Sequence, residues 1–281
     1  MLARAFSVDI SPVTLAFIRW CCALLILLPF AVPAIYRHRG IILKHWPILV
    51  FLGALSVGSF NTLAYIGLQS TTALNGTLMQ STMPIMILLL STIFLREAAS
   101  MKQWLGVGLS LMGVLLLVCQ GQLSILKTLN FNVGDLWIIT AMFIWGGYSV
   151  ALRWKPKEMS GFAFFSVTLV VGIICLAPFS WLEAQNQPPI EWNTGLYLLI
   201  AYLVVFPSIL SYLFWNYGVE KLSAQRAGLF IHLVPLWGML LSVMFLGEEV
   251  QAFHLWGMTL IFSGIYFAVI SSNSSSKKQQ A

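Results

Sequence analysis

Charge is scarce in this sequence: Asp, Glu, Lys and Arg make up 9% of its 281 residues, where a soluble domain needs roughly a quarter. That shortage excludes a soluble globular domain. An apolar share of 59% and a mean hydropathy of +0.88 place the chain among integral membrane proteins. Cysteine is scarce too. The four present, Cys21, Cys22, Cys119 and Cys175, lie in apolar runs without metal-ligand spacing, so neither a disulfide framework nor a metal site is expected. No HExxH, GxSxG, intramembrane aspartate pair or Cys/His cluster occurs; an enzyme or a cofactor protein is therefore not expected. The net charge of +6 does not point to nucleic acid, because the basic residues sit in short loops between apolar runs. A cleavable leader is not expected either, since residues 1–11 lack a long apolar core.

What is present is apolar helix. Nine runs near the ~20 residues that span a bilayer can be marked at 12–33, 47–68, 74–95, 103–120, 134–152, 160–182, 195–217, 226–246 and 253–270. The tail 271–281, SSNSSSKKQQA, reads as disordered. If the loop holding Arg37, Arg39 and Lys44 is cytoplasmic, alternation puts twelve basic residues inside and two, Arg4 and Lys127, outside, with Arg19 within a span. The positive-inside rule then expects a cytoplasmic C-terminus and an N-terminus outside.

The chain repeats itself. PIMILLLSTIFLRE (84–97) returns as PLWGMLLSVMFLGE (235–248), shifted by 151, and the same shift maps Gly106 to Gly257 and Gly113 to Gly264. Residues 65–118 and 216–269 share 14 identities in 54 positions, with Pro, Glu and Gly in register, which unrelated apolar helices would not share. Earlier in the chain a shift of 149 maps Ser11 to Ser160 and Pro29 to Pro178. The helix at 134–152 then expects a counterpart ending near residue 3, so the reading is a five-helix unit whose first copy lacks its first helix. Residues 1–133 form the first repeat and 134–270 the second. An odd helix count inverts one unit relative to the other, as in many secondary transporters.

Carried by SPVTLAFIRW, the P…FLRE and P…FLGE helix ends, WLGVGLSLMGVLLLV, LWGMTLIFSGIYFAV and GDLWIITAMFIWGGYSVALR, the chain resembles the EamA-type family of the drug/metabolite transporter superfamily over essentially its whole length. The resemblance implies an all-α membrane protein of two inverted five-helix repeats, here with nine helices. It also implies export or exchange of small metabolites, often amino acids and their derivatives, across a bacterial inner membrane.

Several polar residues stand out inside the spans. Asn61 and Tyr65 lie four apart, on one helix face, and the shift of 151 maps them onto Tyr212 and Asn216 with the residue types exchanged. An amide and a phenol from each repeat would form a site rich in donors and acceptors, lined further by Trp145, Tyr148, Ser149 and Trp215. Such a site suits a neutral or zwitterionic metabolite; the alternative for the aromatics is an interfacial belt. Pro84 and Pro235 fall near mid-span, next to Gln80, Ser81 and His232, as hinges with cavity-lining neighbours or as simple bends. Glu97 and Glu248 end counterpart helices and read as latches at the cavity mouths, or as proton carriers. Gly106, Gly113, Gly257 and Gly264 read as a close-packing stripe.

Arg19 is the one permanent charge within a span. It faces a cavity, or it anchors its helix to the membrane surface or serves helix packing. The partners expected are therefore a small-molecule substrate and the lipid bilayer, without nucleic acid; nothing in the sequence sets an oligomeric state. Carriers of phosphorylated metabolites or nucleotide sugars would call for several buried basic residues, so they rank behind amino-acid-like substrates. A non-transporting scaffold or inactive fragment is the remaining alternative.

Overall fold

The computed structural model describes residues 10–188, 190–246 and 249–269. Among them the chain is helical and carries no strand. Among the described residues eight segments are long and apolar enough to cross a membrane, Pro12–Arg37, Trp46–Ser70, Leu74–Leu95, Met101–Val118, Val133–Trp154, Gly161–Gln185, Thr194–Leu222 and Ala252–Val269. The chain is a multi-pass membrane protein. The ninth expected span is broken into Ala224–Leu229, a 3-10 turn at Phe230–His232 and the 14-residue Leu233–Leu246. At ~1.5 Å per residue, the last piece falls short of the ~30 Å hydrocarbon layer.

Proline accounts for that break. Its ring clashes with the carbonyl four residues earlier but is tolerated in a first turn. Pro235 accordingly sits third in Leu233–Leu246, and Pro84 second in Met83–Leu95, which follows a separate helix at Ala73–Gln80. The mid-helix bends expected at both prolines are therefore full breaks between helices. At the break before Pro84 the Ser81 hydroxyl donates to Leu78 O at 2.6 Å and the Thr82 hydroxyl to Met79 O at 2.7 Å.

The principal helices are α1 (Pro12–Arg37), α2 (Trp46–Gly53), α3 (Asn61–Ser70), α4 (Ala73–Gln80), α5 (Met83–Leu95), α6 (Met101–Val118), α7 (Val133–Ala151), α8 (Gly161–Gln185), α9 (Thr194–Leu203), α10 (Ser211–Leu222), α11 (Ala224–Leu229), α12 (Leu233–Leu246) and α13 (Ala252–Val269). They gather into two compact units, each drawn from two separate stretches of the chain. One holds residues 1–69 and 147–221, the other 70–146 and 222–281.

In the first unit α1 packs against α8. The buried positions Ala16, Trp20, Ala23, Leu27 and Ala31 recur every three or four residues, the spacing of one helix face. Pro12 opens α1 and its N-cap Ser11 makes no side-chain cap. Glu183, from the last turn of α8, supplies the cap instead, accepting from Thr14 N at 2.7 Å and the Thr14 hydroxyl at 2.8 Å. A carboxylate at a helix N-terminus is favoured by the exposed amides and the helix dipole. This unit also carries two seven-residue π-helical segments, Ala54–Phe60 between α2 and α3 and Val204–Leu210 between α9 and α10. Serine hydroxyls bond the carbonyl five residues back in both regions, from Ser59 to Ala54 and from Ser208 to Leu203.

In the second unit α6 and α13 meet through their glycines. Gly106 lies against Gly264 and Gly113 against Gly257, so each meets the repeat counterpart of the other. A Cβ added at Gly113 would fall 2.6 Å from Gly257 O, and a backbone atom cannot swing aside as a side chain can. Gly113→Leu is expected to cost about 1–3 kcal/mol by overpacking and to lower the unfolding temperature in detergent; Gly108→Leu, where nothing lies within 4 Å of the added Cβ, serves as the neutral control.

Candidate functional site

The polar residues marked in the sequence divide between the two units. Asn61, Tyr65, Arg19, Tyr148, Ser149, Tyr212, Trp215 and Asn216 belong to the first; Gln80, Ser81, Pro84, Glu97, Trp145, His232 and Pro235 belong to the second. Glu248 lies outside the described residues.

In the first unit they are tied by a set of hydrogen bonds and ring contacts. Each π-helical segment delivers the chain directly into a polar residue pair: Asn61 and Tyr65 on α3, Tyr212 and Asn216 on α10. Asn61 Nδ2 donates to the Tyr212 hydroxyl at 2.7 Å, so two positions related by the repeat touch each other. The same hydroxyl donates to Ser56 O at 2.9 Å, which lies inside the first π segment. Asn216 Oδ1 accepts from the Tyr148 hydroxyl at 2.6 Å, and Trp215 Nε1 donates to Ser149 Oγ at 3.1 Å. The Tyr212 ring is walled by Trp20, edge-on at 5.0 Å between centroids, and by Phe165 at 5.9 Å. Trp20, Ser56 and Phe165 escaped the sequence reading because an apolar or small residue within an apolar run carries no signal of its own.

Arg19 joins this network rather than the membrane surface. It is 0% exposed, which removes the snorkelling anchor. Its Nη1 donates to the Tyr65 hydroxyl at 2.6 Å, and its guanidinium lies 4.6 Å from the Trp20 ring centroid and 5.3 Å from that of Tyr65. Such cation–π contacts are worth up to about 2 kcal/mol each when desolvated, against several kcal/mol to bury an ion. Arg19 Nε and Nη2, Trp20 Nε1 and Asn216 Nδ2 are buried without a hydrogen-bond partner. All four are donors. Asn61 and Tyr65 keep partial exposure and form the accessible edge of the network.

The second unit holds a different set. His232 is buried, with Nε2 2.9 Å from Ser81 O and Nδ1 2.6 Å from Ser110 Oγ. A carbonyl only accepts, so Nε2 carries the proton. Ser81 and His232 are again repeat counterparts in contact. Gln80, one residue from Ser81, is exposed, whereas Trp145 is buried. At Glu97 the backbone carbonyl is what Gln225 Nε2 holds, at 3.2 Å, with Gln225 tied to Gln103 at 2.9 Å.

Asp135, absent from the sequence reading, is 1% exposed and accepts from Thr71 Oγ1 at 2.5 Å, Asn75 Nδ2 at 3.1 Å and Asn132 N at 2.9 Å. Its signal was available: Asn132 and Asp135 cap one another reciprocally at the spacing of a capping box. An open pocket of about 260 Å³ sits at the start of α1, lined by Ser11, Thr14, Ala184 and Gln187 among others, and touches none of the residues marked in the sequence. Among the described residues no group of three His, Cys, Asp or Glu is placed to hold a metal.

The profile of the EamA-like transporter family matches residues 1–119 and 132–270. An uncharacterized transporter of Bacillus subtilis, YyaM, is 31% identical over 219 residues, 78% of this chain and 72% of that protein. A probable terminal-alkyne amino-acid exporter of Streptantibioticus cattleyicolor is 21% identical over 221 residues, 78% of this chain and 71% of that protein. One solved crystal structure shares the fold with a TM-score of 0.76 at 17% identity, across 97% of this chain and 92% of the other.

Because the Tyr212 hydroxyl closes two bonds in a buried place, Tyr212→Phe leaves Asn61 Nδ2 and Ser56 O each short of a partner. The expected loss is about 1–3 kcal/mol, read as a lower midpoint in a denaturant titration of the detergent-solubilised protein. Trp215→Phe breaks a single bond at a half-buried residue and is expected to shift the midpoint by less.

Proposed function

Because the chain belongs to the EamA-like transporter family, we propose that it is a secondary transporter carrying a small neutral or zwitterionic, amino-acid-like metabolite by alternating access. Its setting is the bacterial cytoplasmic membrane, with the C-terminus on the cytoplasmic side and the repeats 1–133 and 134–270 in opposite orientation. The observation that carries this reading is the polar network of Asn61, Tyr65, Tyr148, Tyr212 and Asn216 inside otherwise apolar spans. Buried polar groups in a membrane segment are costly and point to a functional site. Amides and phenols present donors, acceptors and aromatic faces, which suit a solute with both polar and apolar parts. The relative named as an amino-acid exporter supports the same solute class. A single buried arginine is too few for a phosphorylated solute, which draws several basic side chains.

In this mechanism Asn61 and Asn216 hold the solute, Tyr65 and Tyr212 line it, and the helix breaks before Pro84 and Pro235 act as hinges. Glu97 and Glu248 serve as latches. The test is counterflow of labelled amino acids into proteoliposomes loaded with the unlabelled compound. Asn61→Ala and Asn216→Ala are each expected to cut the initial rate by about tenfold or more. Wild-type rates in both variants would remove the site assignment, and a panel with no counterflow at all would remove the transporter reading.

A further inference from the structure

Every orphaned polar atom in the network around Tyr212 is a hydrogen-bond donor, and two of the four belong to one cation. Nε and Nη2 of an arginine lie on one edge of the guanidinium plane, the edge that grips a carboxylate through two parallel bonds. In Arg19 that edge is the unbonded one, while Nη1 is tethered to Tyr65. Trp20 Nε1, a neighbour on α1 whose ring lies against the same guanidinium, is also without a partner.

Among the described residues no acidic side chain balances this charge. Among the described residues of the unit, Glu183 caps α1 and Glu220 pairs with Lys155 at 2.6 Å; Glu158 and Glu191 are exposed. None lies within ion-pair distance of Arg19. Buried donors in a low-dielectric setting call for a partner, and here the chemistry lacking is an acceptor with negative charge.

We propose that the free edge of Arg19, with Trp20 Nε1 beside it, is the receptor for a carboxylate on the transported solute. This rests on the transporter reading and sharpens it: the solute carries a carboxylate, as an α-amino acid does, and is not an amine or an uncharged compound. Asn61 and Tyr65, at the accessible edge, meet the remainder of the molecule. Since Arg19 and Trp20 are sealed from solvent, the carboxylate reaches them only when the network opens on that side. Binding is thereby tied to the movement that exposes the site.

The experiment compares matched compounds on the purified full-length chain by thermal stabilisation: norvaline, pentanoate and butylamine, then phenylalanine, 3-phenylpropanoate and phenethylamine. Ligands that bind the folded state raise the unfolding temperature with concentration. The carboxylates of at least one set are expected to do so, and the amines and sodium chloride at equal ionic strength are not. Arg19→Gln is expected to weaken carboxylate binding about tenfold or more, Arg19→Lys to restore part of it, and Trp20→Phe to weaken it a few-fold. Equal stabilisation by the amines or by chloride, or none by any carboxylate, overturns the proposal without reference to a variant's folding. An unchanged carboxylate-to-amine ratio in a folded Arg19→Gln overturns it as well. Counterflow of the amines with no carboxylate binding leaves the transporter reading standing while this inference fails; carboxylate binding without any counterflow does the reverse.

Discussion

A bilayer offers no water to a stray carbonyl or amide, so each polar group that the helices release must be answered from within the protein. That constraint organises this chain more than any single contact. Where α4 stops short of Pro84, hydroxyls of Ser81 and Thr82 cover Leu78 O and Met79 O, and His232 takes Ser81 O. Where the helices widen into π segments, serines reach back five residues to the displaced acceptors, and Tyr212 takes Ser56 O. The polar network is thus continuous with the repair of the backbone. Helix irregularity and site sit together because each supplies what the other lacks.

The spans were legible in the sequence because a long apolar run has few fates. The repeat was legible because Pro, Glu and Gly kept register while the surrounding leucines carried no information. Asn61, Tyr65, Tyr212 and Asn216 could be found because four-residue spacing survives in any helix and the shift of 151 paired them. Residue pairing was less legible: the sequence grouped Asn61 with Tyr65, whereas the hydrogen bond runs from Asn61 to Tyr212. The π segments escaped notice because one extra residue per turn leaves no mark on a uniformly apolar pattern. Gln80 and Ser81 looked equivalent and are not. Adjacent positions on a helix point about 100° apart, and one is exposed while the other is buried.

Arg19 shows how depth alone misleads. Placed roughly one side-chain length below the surface, it could be drawn toward water by snorkelling. The fold turns it the other way, between Trp20 and Tyr65. Aromatic faces attract a cation but do not neutralise it, and the one hydrogen bond it makes is to a neutral phenol. Among the described residues the guanidinium is therefore held in place by its surroundings without being electrically answered by them. Asp135 is the opposite case, a buried carboxylate met by two side chains and a backbone amide at a helix start.

The contacts between Asn61 and Tyr212, and between Ser81 and His232, join residues 151 positions apart. Two copies of one repeat, assembled as separate identical subunits, would set asparagine against asparagine and serine against serine at these places. A single polypeptide is free of that rule. With both repeats on one chain, each self-facing position can diverge into a donor on one side and an acceptor on the other. The hydrogen bonds at these two contacts therefore need both repeats, and an assembly built from copies of one repeat alone would lose both.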